Sequence, residues 1–139
     1  MIGDFILLIA PYIFAMTTIN QPSNRSIGDS WEEIAVKYLE SKWYQIIDRN
    51  YQIKWGELDI VMKEWWLTIF VEVKYRKDEA YGHPLDTFSQ AKRRAMKRTI
   101  MLYSHKNKID LEQVRIDFIG IMPNVEWGHR VWHVRGVEI

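Results

Sequence analysis

Two consecutive runs, 54–62 and 67–75, alternate apolar and polar residues with period two around a short turn, which predicts a β-hairpin. Upstream, Trp31, Ile34, Ala35, Tyr38 and Leu39 recur at helical spacing and predict an amphipathic helix over 31–42. Asp29 or Ser30 suits its N-cap, and Glu32 and Glu33 suit the positive end of its dipole. Residues 43–53 read as a strand with a polar turn at Asp48 to Asn50. A loop containing Gly82 covers 77–84, and a long helix is predicted from about Asp86 to Ser104, with Phe88, Ala91, Ala95, Thr99 and Leu102 on one face. Residues 114–121 and 131–138 complete the set as strands. The order α-β-β-β-α-β-β describes a mixed α/β sandwich.

The hairpin carries Glu57, Asp59, Glu72 and Lys74 inside its strands, where apolar side chains are preferred and charges are rarely buried without a partner. Residues two apart share a face of a strand, and an even-numbered loop would put all four charges on the same face. Leu58, Ile60, Ile69, Val71 and Val73 fill one face, and Phe70 and Met62 add apolar bulk beside the charges, so both faces read as covered. Two like charges about 4 Å apart repel by ~4 kcal/mol at an effective dielectric of 20. The cluster therefore needs cations, either Lys74 or a hard divalent ion held by carboxylates, a backbone carbonyl and water. A structural ion-pair network is the alternative reading.

The two helices extend this picture. Glu32 lies at the edge of the first helix's apolar stripe and can reach the sheet, whereas Glu33 points away. Lys92 falls within the apolar stripe of the second helix and requires a partner there. Arg93, Arg94, Lys97 and Arg98 lie outside the stripe, and no acid interrupts 89–108. A basic flank beside a carboxylate cluster suits a phosphate-rich polymer, although a solvated helix face would look the same.

With 139 residues, the chain has room for one domain with a real core. The absence of cysteine excludes disulfides and thiolate metal sites and fits a reducing cytoplasm. The apolar run "FILLIAPYIFAM" at 5–16 is broken by Pro11 and falls short of the about 20 residues of a spanning helix. Asp4 stands where a signal peptide would carry a basic residue, so a buried or oligomer-contacting segment is expected and a membrane partner is not. The polar stretch 20–26 reads as a linker, dividing the chain into an extension at 1–26 and a domain at 27–139. His129 and His133 have a zinc-like spacing only on a helix, and here they fall on a strand. Of the seven tryptophans, Trp65 and Trp66 at the hairpin tip are the first candidates for stacking on bases.

"GELDIV" followed by "FVEVKYR" resembles the paired motifs of the YraN-like family, placed in the restriction-endonuclease-like PD-(D/E)XK nuclease superfamily. The resemblance extends to "EEIAVKYLE", to "QAKRR" around Lys92 and to "VRIDFIGI", covering roughly 28–121. Trp31 departs from it, standing where the family commonly has glycine. The resemblance implies a restriction-endonuclease-like core, a mixed sheet flanked by helices. It implies Asp59 as the metal-binding aspartate, Glu72 as the second acid and Lys74 as the catalytic lysine. Glu32 and Lys92 would join from the two helices, and Glu57 belongs to the motif without a defined role. Mg²⁺ or Mn²⁺ would sit on Asp59, Glu72 and the Val73 carbonyl, with Glu32 in its outer shell. Arg76, Lys92, Arg93, Arg94, Lys97 and Arg98 would contact nucleic acid, DNA foremost, with a homodimer as a further expected assembly. The expected activity is metal-dependent phosphodiester hydrolysis. A non-catalytic binding module of the same fold and a structural protein with a buried ion network are the alternatives.

Overall fold

A computed structural model describes residues 31–77, 82, 84–124, 126 and 128–139, together with the backbone of 12–15. The linker expected at 20–26 and most of the apolar run at 5–16 lie outside the described residues.

The architecture is a mixed α/β fold in which one sheet has a helix on each face. Helix α1 (Trp31–Ser41) is followed by β2 (Gln45–Ile53), β3 (Gly56–Glu64) and β4 (Leu67–Tyr75). A short 3-10 turn (Pro84–Thr87) leads into α2 (Gln90–Asn107), and β5 (Val114–Asn124) and β6 (Gly128–Val134) follow. A short strand β1 (Tyr12–Ala15) pairs antiparallel with β6, which gives the sheet order β1-β6-β5-β4-β3-β2. Of the described strand pairs, only β4 and β5 run parallel, because α2 carries the chain across between them. Among the described residues, no helix is long and apolar enough to cross a membrane.

Alternation along the strands sorts the core into two layers. Ile60, Met62, Ile69, Val71 and Ile119 pack against Ala35, Tyr38 and Leu39 of α1. On the other face, Val61, Phe70 and Phe118 pack against Met96, Ile100 and Tyr103 of α2. Met62 therefore lies on the α1 face, not beside the charges as the sequence pattern suggested. Leu58 joins the α2 layer although Ile60 joins the α1 layer, so strict alternation in β3 breaks at Asp59.

Several predicted boundaries shift for local reasons. The polar residues Asp48 to Asn50 do not interrupt a strand; they belong to β2, an edge strand with a bulge between Ile46 and Asp48 and a positive φ of 53° at Asn50. Helix α2 begins at Gln90, because the Ser89 hydroxyl accepts the Lys92 N–H (3.2 Å) as its N-cap and the preceding turn is 3-10. Its buried stripe runs through Met96, Thr99, Ile100 and Tyr103, following Phe88, while Ala91 and Leu102 face solvent. Strand β6 starts earlier than expected, at Gly128, and ends at Val134. Helix α1 closes with the Trp43 N–H on the Glu40 carbonyl and the Tyr44 N–H on the Leu39 carbonyl. That closure holds Trp43 at φ 68°, a left-handed position where glycine is the usual occupant.

Candidate functional site

The turn at Trp65 and Trp66 sets the hairpin register, with Glu64 opposite Leu67 and Ile60 opposite Val71. One step further along, Asp59 and Glu72 are level, as an even loop requires. There the β3–β4 ladder stops, and the Asp59 carboxylate enters the gap. Its Oδ2 accepts the Val73 N–H (2.8 Å), which would otherwise have lost its partner on β3. In an extended strand the N–H and C=O of one residue point to the same side, so the Val73 carbonyl also faces this gap.

Glu72 is only 1% exposed. Its Oε1 takes two cations, Lys92 Nζ at 3.2 Å and Lys74 Nζ at 3.6 Å. Its Oε2 is buried without any hydrogen-bond partner. Lys92 also donates to Glu57 Oε1 (3.1 Å), so α2 bridges both acids from its first full turn. It can do so because Gly56 lets the helix approach: a Cβ there would lie 2.2 Å from Thr99 Oγ1 and 3.3 Å from the Ala95 carbonyl.

Burial and the neighbouring Glu72 push the Asp59 carboxyl up to about 7, against the opposing pull of the Val73 N–H and Lys92. Burial alone would lower the Lys92 ammonium, but Glu72 and Glu57 outweigh it and hold that group above its ordinary value. The site thus contains more negative charge than its two lysines comfortably offset, together with one orphaned carboxylate oxygen.

The structure brings Glu57, Asp59, Glu72, Lys74 and Lys92 together on the α2 face. Among the described residues, no hydrogen bond or ion pair joins Glu32 to the cluster, and the core residues of α1 pack on the opposite face. Trp31 stacks on Tyr75 (ring centroids 3.5 Å apart), which places the start of α1 at the Lys74 end of β4 but across the sheet. Glu33 does not point away: its Oε2 pairs with Arg49 on β2 at 2.8 Å. Arg93 is also committed, donating to the Phe88 and Glu138 carbonyls (2.9 and 2.6 Å). Arg94, Lys97 and Arg98 are exposed along α2, and Arg76 is half-buried at the end of β4. Trp65 and Trp66 are exposed at the opposite end of β3 from Gly56, away from this cluster.

A second charged network lies on the α1 face. Asp117, fully buried on β5, accepts from Arg115 (2.8 and 2.9 Å), His133 Nε2 (2.8 Å) and the Gly136 N–H (3.1 Å). Arg115 and Arg135 both reach Glu64 at 3.0 Å. Burial would raise the Asp117 carboxyl, but the His133 and Arg115 hydrogen bonds hold it below its ordinary value. With its acceptors filled, this network reads as a clamp on the β5–β6 pair. It was not expected from the sequence, although "VRID" places Arg115 and Asp117 on one strand face.

Among the described residues, no group of three or more acids or histidines is arranged as a metal cage. The cluster offers two carboxylates and a carbonyl, a donor set suited to an ion that keeps several waters, as Mg²⁺ does.

Comparison with known proteins matches residues 31–121 to the uncharacterised protein family UPF0102. A UPF0102 protein of Carboxydothermus hydrogenoformans is 42% identical over 99 residues, covering 71% of this chain and 84% of its own. One from Pelobacter propionicus is 36% identical over 117 residues, covering 82% and 83%. The UPF0102 protein YraN of Shigella boydii is 33% identical over 110 residues, covering 77% and 84%.

Proposed function

The chain belongs to the UPF0102 family, and we propose that it is a metal-dependent nuclease with a restriction-endonuclease-like core, cutting phosphodiester bonds at the Asp59–Glu72 cluster. The carrying observation is the Glu72 carboxylate, which is buried, paired through Oε1 alone and left with Oε2 unpartnered beside Asp59. A buried oxygen without a donor is costly unless a ligand completes it.

Asp59, Glu72 and the Val73 carbonyl would hold Mg²⁺ or Mn²⁺. Bound there, the ion polarises a phosphate oxygen and acidifies a coordinated water. Lys74, whose side chain is 38% exposed, has donors to spare for the attacking water and a phosphate oxygen. Lys92, held by Glu57 and Glu72, adds positive charge where the transition state gains negative charge. The water oxygen bonds to phosphorus, the ester P–O bond breaks, and the water's proton leaves to solvent or to the departing oxygen. Arg94, Lys97 and Arg98 would hold the backbone without reading its sequence.

The test is titration with Mg²⁺ and Mn²⁺, followed by incubation with labelled single-stranded, duplex and branched DNA and with RNA. Wild-type protein should bind the ion and cut at least one substrate, and Asp59→Asn and Glu72→Gln should do neither. Ion binding without cleavage would reduce the protein to a binding module. No ion binding would remove the site.

A further inference from the structure

The two-residue turn between β2 and β3, Lys54 and Trp55, leaves Trp55 65% exposed. Lys54 Nζ sits 4.4 Å from the centroid of its ring. Beside it opens a pocket of about 440 Å³, lined by Gln52, Trp55, Gly56, Glu57, Lys92 and Met96 among others. That volume falls within the roughly 300–1,000 Å³ of small-molecule sites. Two of the lining residues belong to the cluster described above, because Lys92 Nζ bridges Glu57 and Glu72. The pocket is therefore one side chain away from the orphaned carboxylate oxygen.

Its walls differ in chemistry. Trp55 supplies a broad aromatic surface, and Gln52 and Glu57 supply polar atoms that could meet the edge of a heterocycle. Lys92 supplies a cation at the boundary with the acidic cluster. Among the described residues, the other strongly exposed tryptophans do not share this position: Trp65 and Trp66 occupy the far hairpin tip and Trp43 follows α1.

We propose that this pocket takes an unpaired nucleobase of the strand being cut, with Trp55 as its stacking platform and Lys92 at the adjoining phosphate. The inference rests on the nucleic-acid reading above and narrows the substrate class. A base inside a continuous duplex is stacked on its neighbours and cannot enter, whereas a single strand, a frayed end or a branch point presents one freely. Stacking on an aromatic side chain is tolerant of sequence, so the pocket selects unpaired nucleotides without selecting which base.

The test measures binding in Asp59→Asn protein without divalent ions, so that no cutting enters the result. Fluorescence anisotropy compares a labelled single-stranded oligonucleotide with a blunt duplex of the same sequence. Adding Trp55→Ala should weaken single-strand binding by roughly 5- to 100-fold and leave duplex binding within about twofold. Trp55→Phe should retain most of the affinity, which separates stacking from mere bulk, and circular dichroism should show both variants folded. Unchanged single-strand binding, an equal loss on both substrates, or no single-strand binding by the parent protein would each overturn the proposal. The outcomes remain separable: binding that depends on Trp55 without any cleavage by wild type would sink the nuclease and keep the pocket. Cleavage by wild type with Trp55→Ala binding as its parent would do the reverse.

Discussion

Asp59 is the residue in which packing and chemistry conflict most directly. Folding places its carboxylate against Glu72 and away from water, raising it from an ordinary 3.8 to about 7. A carboxyl raised by folding stabilises the native state below its unfolded value and loses that contribution as pH rises through its folded value. Ion-free protein should therefore become less stable between about pH 4 and 7, and Asp59→Asn should flatten that decline in urea melts at successive pH values. If the slope persists in Asp59→Asn, the strained acid lies elsewhere. Below about pH 7 the ion must also displace a proton, so calorimetry of Mg²⁺ binding at about pH 6 should report proton release that depends on buffer ionisation. Gly56 presents the opposite problem, one of space. Gly56→Ala should cost about 1–3 kcal/mol through overpacking against Thr99. Gly56→Ala with Thr99→Ala should recover part of the loss in a double-mutant cycle, and strictly additive losses would contradict the steric account.

At the scale of elements, α2 divides into an inward cation, a committed arginine and an outer basic row. Replacing Arg94, Lys97 and Arg98 by Gln should lower the slope of log affinity against log salt by about one for each phosphate no longer neutralised. Arg93→Gln should instead loosen the tail that its guanidinium holds at the Glu138 carbonyl, which a thermal melt would detect. An unchanged salt slope in the triple variant would place the binding surface elsewhere. The alternation and helical spacing made the hairpin, α1 and the existence of α2 legible in the sequence, and turn parity made the Asp59–Glu72 pairing legible too. The true stripe of α2 was not, because Ala91 and Leu102 look apolar while the Ser89 cap and the Gly56 contact set the helix's rotation. Which face each helix covers was equally hidden. Lys92 read as inward-facing, yet only contacts distant in sequence decide that it meets Glu72.

Across the whole molecule, the sheet separates two acids with opposite electrostatic fates, Asp117 fully buried and Asp59 half-buried. Asp117 is held below its ordinary value by the hydrogen bonds of His133 and Arg115, so its contribution is lost on acidification, whereas that of Asp59 is lost on alkalinisation. Ion-free protein should be most stable in mildly acidic solution, and Mg²⁺ should move the maximum upward by stabilising ionised Asp59. Asp117→Asn should cost about 3–5 kcal/mol, since it removes the fully buried charge that Arg115 and His133 face and leaves Arg115 with Glu64 alone as its anion. It should leave Mg²⁺ affinity unchanged in any variant that remains folded, because its network lies on the opposite face. A matching loss of ion affinity would show that the two faces are coupled.

The parallel pairing of β4 with β5 also has a consequence in time. Thr68 meets Val114 only after the whole of α2 has been laid down between them, whereas Glu64 meets Leu67 across a two-residue turn. Local contacts form before distant ones, since closing a long loop costs entropy that its contacts return only afterwards. The hairpin should thus bring its two acids side by side in a chain still open to water, where their repulsion is screened. Docking of α2 then seals them in and delivers Lys92 in the same step. The refolding barrier should accordingly be sensitive to Lys92→Met and largely insensitive to Lys74→Met, a difference that stopped-flow chevrons can resolve. Early meeting of the acids would be tolerable only because their isolation from solvent comes late.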